Sequence, residues 1–553
     1  MLIQAQNAGK VVKMSQPDVF LRRTSGVIRT LSPRDAMFYS YLVIAGLYGV
    51  SFYFFFGMAL FPGANVYIAC ILLLGLFAIR WVTTSGLISA MPRSGGDYVF
   101  SSRLLSGVVG FTVTNAGIVW WQVFWDYLAG YAIAMTIIPA MFDFVGHATG
   151  NPSLIQFGIS FANPWVACVI SIILLWAACY VMLTGLRAYV IFQNYFIMVF
   201  GFLSIAIIAV MFLVIPQSNF ANNFNTYVNL FESNPDWYHS IIAKAKDLGF
   251  NPNVGFSWPD TIALTALYYG LWTAVSMGME LVGEIKGVQS FKTAWLTQFG
   301  AIAIQFVTFI VAAAWAYDYM GQEFIKSLGF LVISGQSPPG FSFMGSYSLF
   351  AAVSMNPLIA IIVGLGFAGA MANSLFNGYL GASRILLAQS FDRLLPSWFG
   401  HVNKRGAPDT LLILLTVLGS IAAVILTGYP SLGGLLQLAL TAQCIAFTCS
   451  IIAGIIFPWK AKTLYESSPA SKYKIAGFPA ITICGIVALA ADLYIFYLYF
   501  TIPGYGLWPG SPMALSFAAL LYIVPFVWYF INKQRRASQG INVELAFKEV
   551  PPA

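Results

Sequence analysis

Between residues 37 and 532 the chain returns repeatedly to runs of about twenty residues that carry almost no charge. As a helix, a run of that length matches the hydrocarbon thickness of a bilayer. Lipid offers no hydrogen bonds, so a spanning backbone must satisfy its own N–H and C=O groups, which leaves helices and closed barrels. Barrel strands alternate apolar and polar residues over about ten positions, and these runs do not alternate. Only 8% of the 553 residues are charged, against about 25% in soluble domains. The expectation is an all-α polytopic membrane protein.

Twelve spans are expected, at about 37–61, 65–90, 107–142, 164–185, 188–215, 259–283, 292–317, 346–388, 409–428, 431–458, 476–501 and 512–532. The opening MLIQAQNAGKVVKMSQ holds no hydrophobic stretch, so no cleavable signal is expected. Basic residues set the orientation. Lys10, Lys13, Arg22, Arg23, Arg29 and Arg34 precede span 1; Arg93 and Arg103 follow span 2. Arg384, Arg393, Lys404 and Arg405 follow span 8, and Lys533, Arg535 and Arg536 follow span 12. The alternate connections differ: 216–258 sets Lys244 and Lys246 against Glu232, Asp236 and Asp247, and 429–430 is uncharged. The positive-inside rule then places both termini in the cytoplasm of a multi-pass cell-membrane protein. Cytoplasmic loops account for the net charge of +8 without a nucleic-acid partner. The six cysteines lie mostly within apolar runs with no metal spacing, and His147, His239 and His401 lie outside the spans. No cofactor, metal or catalytic group is expected, and an enzyme is disfavoured. No filter-like segment suggests a channel.

Spans 1 and 6 are both interrupted near their middles, span 1 by Gly46 and Gly49 and span 6 by Ser276 and Gly278. They stand five apart, and five is odd, so they enter the membrane from opposite sides. Singly, such glycines allow close helix packing. As a pair at matching positions of two inverted halves, they mark a transporter's midplane site.

Several blocks resemble the amino acid–polyamine–organocation transporter superfamily: RTLSPRDAMFYSYLVIAG (29–46), MPRSGGDYVFSSR (91–103), GLRAYVIFQN (185–194), SMGMELVGEIKG (276–287) and ASRILLAQSFDRLLPSWFGHVNKRGAPDT (382–410). The resemblance implies a five-plus-five inverted repeat of the leucine-transporter type with two further helices. The divisions would be a cytoplasmic segment 1–36, a first repeat 37–215, an extracellular loop 216–258, an inverted second repeat 259–458, helices 11 and 12 within 476–532, and a cytoplasmic tail 533–553. It implies a secondary transporter of amino acids or related amines, with another organic cation or uncoupled exchange as alternatives. A non-transporting receptor is the weaker rival.

In such a site free N–H groups at a half-helix N-terminus take the substrate carboxylate, and free carbonyls where a half-helix ends take the ammonium. By position the resemblance assigns Ala45, Gly46, Leu47, Tyr48 and Gly49 in span 1, and Ala274, Val275, Ser276, Met277 and Gly278 in span 6. Gly46-Leu47-Tyr48 departs from the family's usual Gly-Ser-Gly, and Tyr48 there would crowd the cradle or shift it to Gly49.

Glu280 suits a gating or proton-linked role in a polar cavity, or a paired charge at a helix end. Glu284 and Lys286 read as solvated boundary residues. Asp126 lies among Trp120, Trp121, Trp125 and Tyr127; that cluster would flank a cation or bulky substrate, or belong to an interfacial aromatic belt. Arg80, Asp318 and Asp492 are further charges within or at the ends of spans, Arg80 as a snorkelling side chain or an ion-pair partner. Span 5 carries no lysine that would stand in for a sodium ion. Ser374 and Asn377, one turn apart in span 8, would supply hard oxygens to a cation or bond between helices. Coupling to a proton, through Glu280 or Asp126, and coupling to sodium both remain open, as do substrate identity and oligomeric state.

Overall fold

A computed structural model of the chain describes residues 29–43, 46–161, 163–339, 341, 346–430, 432, 436–502, 505 and 512–548. Ala45 therefore lies outside the described residues, as do residues 1–28 of the N-terminal segment and 549–553 of the tail. Eleven described helices are long and apolar enough to cross a membrane. Span 1 adds the twelfth crossing as two helices, Pro33–Leu42 and Gly46–Leu60. The first begins where the sequence demands it. Ser32 Oγ accepts from the Asp35 N–H, the Asp35 carboxylate accepts from the Ser32 N–H, and Pro33 occupies the first turn, where a missing N–H costs nothing.

The other crossings are Val66–Ala90, Gly107–Thr149, Pro164–Leu183, Leu186–Val214, Trp258–Glu284, Phe291–Met320, Pro357–Phe391, Asp409–Gly428, Leu436–Lys460, Ala480–Thr501 and Pro512–Ser538. Two differ from the sequence expectation. Span 3 runs on to Thr149 and carries His147 in its last turn. Span 8 starts at Pro357 rather than near 346, because Met355 takes a positive φ of 51° and Asn356 caps a new helix by accepting from Leu358 and Ile359. Residues 346–354 form a separate short helix.

The connections are structured as well. The 216–258 segment folds into helices Ser218–Val228 and Trp237–Asp247. The second packs on helix Gln322–Ile333, which itself packs on the Gly46–Leu60 half of span 1. Aromatic stacking of Tyr238 on Phe324, with ring centroids 4.4 Å apart, holds this cap together.

Spans 1, 2, 6 and 7 pack on one another, and span 8 packs on spans 3 and 5. The chain ahead of span 1 is bonded to the end of span 6, with Leu31 N–H to the Glu284 carbonyl (3.0 Å) and Lys286 N–H to the Leu31 carbonyl (2.9 Å). One buried charge cluster fastens span 11 to this core. Arg80 of span 2 donates to both Asp492 oxygens (2.8 and 2.6 Å), Thr448 of span 10 donates to Asp492 at 2.7 Å, and Tyr269 of span 6 completes the ring of donors. Arg80 is thus an ion-pair partner, not a snorkelling side chain.

Removing one member strands the other charge in the interior. Arg80→Met and Asp492→Leu should each destabilise the protein by about 3–5 kcal/mol, whereas the double variant should recover much of the loss. Thermal unfolding in detergent reads both; additive losses would show that the pair does not act as a unit.

Candidate functional site

The last α-helical bond before the span 1 interruption runs from the Val43 N–H to the Tyr39 carbonyl (3.0 Å), and the helix restarts at Gly46 with φ of +45°. A side chain is disfavoured in that region, so glycine permits the restart. The first turn, Gly46 to Gly49, offers N–H groups that have no partner within the helix. Leu47 and Tyr48 are buried beside it. Tyr48 sets its ring edge-on to Phe367 of span 8, with centroids 6.3 Å apart, so it packs between helices.

In span 6 the interruption takes a different form from an unwound gap. The α-helix ends at Trp272 and continues as a 3₁₀ helix over Thr273–Glu284. Such long 3₁₀ stretches have poorer hydrogen-bond geometry and recur at hinges. Ala274, Val275, Ser276, Met277 and Gly278 all lie in it and are all buried. Ser40 of span 1 rests against the backbone of Gly278, where a side chain would otherwise sit.

Span 3 packs on span 8 and reaches span 6. Gln122 Nε2 donates to Met277 Sδ at 2.7 Å. Asp126, one turn on and so on the same face, is 3% exposed and lies against Gly378 of span 8. A β-carbon at Gly378 would collide with that carboxylate, so the contact requires glycine there. Asp126 is thereby an interior residue and does not belong to an interfacial belt. On span 8, Ser374 Oγ has no partner, while Asn377 Oδ1 accepts from Asn373 (3.1 Å). Asn373 belongs to a polar chain: Tyr189 bridges it to Gln193, and Gln193 and Asn194 donate to Asp35 of span 1 (3.1 and 2.7 Å). Part of the expected cation site is therefore engaged in hydrogen bonds.

Spans 1, 3, 6 and 8 thus meet around buried polar atoms that have no hydrogen-bond partner: Tyr39 OH, Gln122 Oε1, Asp126 Oδ1, Ser276 Oγ, Ser374 Oγ and Asn377 Nδ2. Interiors rarely leave such groups unmet; others lie elsewhere, on spans 2, 7, 10 and 12 among them, and of these six only Ser276 sits within the span 6 change of winding.

Glu280 faces Asp97, and both are fully buried. The two are held together by the Gly95 N–H, which donates to the Glu280 carbonyl at 2.9 Å. Ser450 of span 10 donates to Asp97, and no base pairs with either acid among the described residues. Asp97 was part of the 91–103 block but carried no assigned role; its place after two glycines is the signal for it. Glu284, expected at a solvated end, is instead buried, because Arg384 of span 8 grips it through two bonds (2.8 and 3.1 Å). A second buried pair joins Arg103 to Asp392 (2.6 and 2.7 Å), with Tyr98 also donating to Asp392 at 2.6 Å. Asp318 lies apart from the site, accepting from Tyr67 and Gln322.

A family model described as amino acid permease matches residues 36–545. Among solved structures, the crystal structure of MhsT in complex with L-phenylalanine is similar, with a TM-score of 0.51 and 14% identity over 86% of this chain and 99% of that one. A likeness at that identity speaks to the fold, and the fold is the all-α, five-plus-five inverted repeat with two further helices that the resemblance implied. With a family match over nearly its whole length, the chain belongs to the amino acid permease family.

Proposed function

We propose that this chain carries an amino acid across the cell membrane by alternating access, with both termini in the cytoplasm and the substrate held where spans 1 and 6 change their winding. The observation that carries the reading is that spans 1 and 6 pack on each other and both lose α-helical regularity near their middles, at Gly46 and over Thr273–Glu284. The N–H groups of the turn Gly46 to Gly49 take the substrate carboxylate, aided by the positive end of the helix dipole. Ser276 Oγ, with the second lone pairs of carbonyls in the 3₁₀ segment from Ala274 to Gly278, takes the ammonium. The bound ligand supplies the hydrogen bonds that the protein leaves unmade.

The ion pairs Glu284–Arg384 and Arg103–Asp392 close one face of the bundle, and they part when that face opens. Rupture of a buried pair exposes both charges to water, which returns the hydration they lack when closed. Coupling to protons is supported by Asp97 and Glu280, two buried acids on adjoining segments with no base paired to either among the described residues: neighbouring buried carboxyls disfavour double charge, and opening to water would release a proton held when closed. Ser374, with Asn377 partly engaged by Asn373, gives sodium weaker support.

Uptake of a labelled amino-acid panel into proteoliposomes, with proton and sodium gradients imposed separately, tests substrate and coupling together. Uptake driven by an inward proton gradient is expected, and transport of no amino acid or amine would sink the reading. Gly46→Leu, forced into a disfavoured φ, should cut uptake at least about tenfold, on the order of 1.4 kcal/mol, while the protein still inserts and purifies. Glu280→Gln should abolish the response to a pH gradient; an unchanged response would remove Glu280 from the coupling step.

A further inference from the structure

Seven acids are more than nine-tenths buried among the described residues, and five have a base or a donor. Asp492 has Arg80, Glu284 has Arg384, and Asp392 has Arg103. Asp97 accepts from Ser450, and Glu280, whose own oxygens have no donor among the described residues, lies beside it and belongs to the coupling pair above. Asp35 accepts from Ser32 and from Asn194.

Asp126 has none of these. It forms no ion pair with a described residue, no second carboxyl group adjoins it, and its Oδ1 has no donor. The internal stretches not described contain no lysine, arginine or histidine, so they bring it no base. One turn away on the same face, Gln122 presents a second unpartnered acceptor, Oε1, while its amide nitrogen is engaged with Met277. Gly378 lacks a side chain at the point where one would displace the carboxylate, so span 8 makes room for the acid.

Two acceptors without donors among the described residues, one of them a carboxylate, beside Met277 of span 6 and Gly378 of span 8, describe a seat for a cation. Resting on the transport reading above, we propose that Asp126 is the counter-ion for a second positive charge on the substrate. The chain then selects cationic amino acids or diamines over neutral ones. The amino-acid backbone charges are met at spans 1 and 6, and the side-chain ammonium or guanidinium reaches span 3, where Asp126 and Gln122 accept its N–H groups. Burial strengthens such a charge-assisted contact, and it leaves a neutral ligand with an uncompensated acid to accommodate.

Competition against uptake in proteoliposomes of the full-length protein, at one fixed pH, tests this with L-lysine, L-arginine and 1,4-diaminobutane set against L-leucine and L-phenylalanine. The cationic ligands should compete best. Asp126→Asn should raise their half-inhibitory concentrations by about tenfold or more while leaving those of the neutral ligands unchanged or lower. Asp126→Glu, which advances the carboxylate by one methylene, should retain cation preference and favour the shorter diamine. If Asp126→Asn does not fold, the wild-type ranking decides by itself. Wild-type preference for neutral amino acids overturns the assignment. So does an equal effect of Asp126→Asn on both classes, or loss of only the pH-gradient response. Failure of every ligand would instead count against the transport reading.

Discussion

A bilayer provides no hydrogen bonds, and this one constraint orders the whole molecule. Each apolar run must become a helix to satisfy its backbone, and each polar side chain within it must be answered by another helix. Asp492 shows the rule obeyed: donors from spans 2, 6 and 10 surround one carboxylate of span 11. The ion pair is a poor source of net stability, since desolvation of two charges offsets most of their attraction. What it supplies is a constraint on docking, since an arrangement that parted Arg80 from Asp492 would leave two charges buried without each other.

The same rule gives meaning to the places where it is broken. Unpartnered groups occur on many spans, and those on spans 1, 3, 6 and 8 include Ser276 within the span 6 change of winding and Asp126, a carboxylate with no ion pair among the described residues. Span 1 makes its change with an interruption and a glycine at positive φ, whereas span 6 winds tighter without a gap. The halves are thus related in topology and dissimilar in local geometry. A 3₁₀ segment keeps its backbone largely bonded, so span 6 can rewind at a smaller cost than forming new bonds from a gap. The two spans therefore differ in how each could change its winding.

Much of this was legible in the chain itself. Residue periodicity and span length fixed the class, the odd separation of two interrupted spans indicated inverted halves, and Gly46 announced the restart of a helix. Other features were hidden for a definite reason. Glu284 near a span end reads as solvated until Arg384, a hundred residues on, is brought against it. Asp126 among tryptophans reads as belt or site until Gly378 shows which helix it faces. Sequence spacing orders residues along one helix, but their rotation toward a neighbour depends on packing.

The sequence alone therefore determined that the chain crosses a membrane many times as helices, and where two of those helices lose regularity, because hydropathy, span length and glycine placement are local properties. Only the tertiary structure decided which buried charges answer one another and which have no base among the described residues. Pairings such as Arg80 with Asp492, or Asp97 with Glu280, join residues far apart in the chain. In a medium that hydrates no charge, that choice of partner separates a structural acid from a functional one.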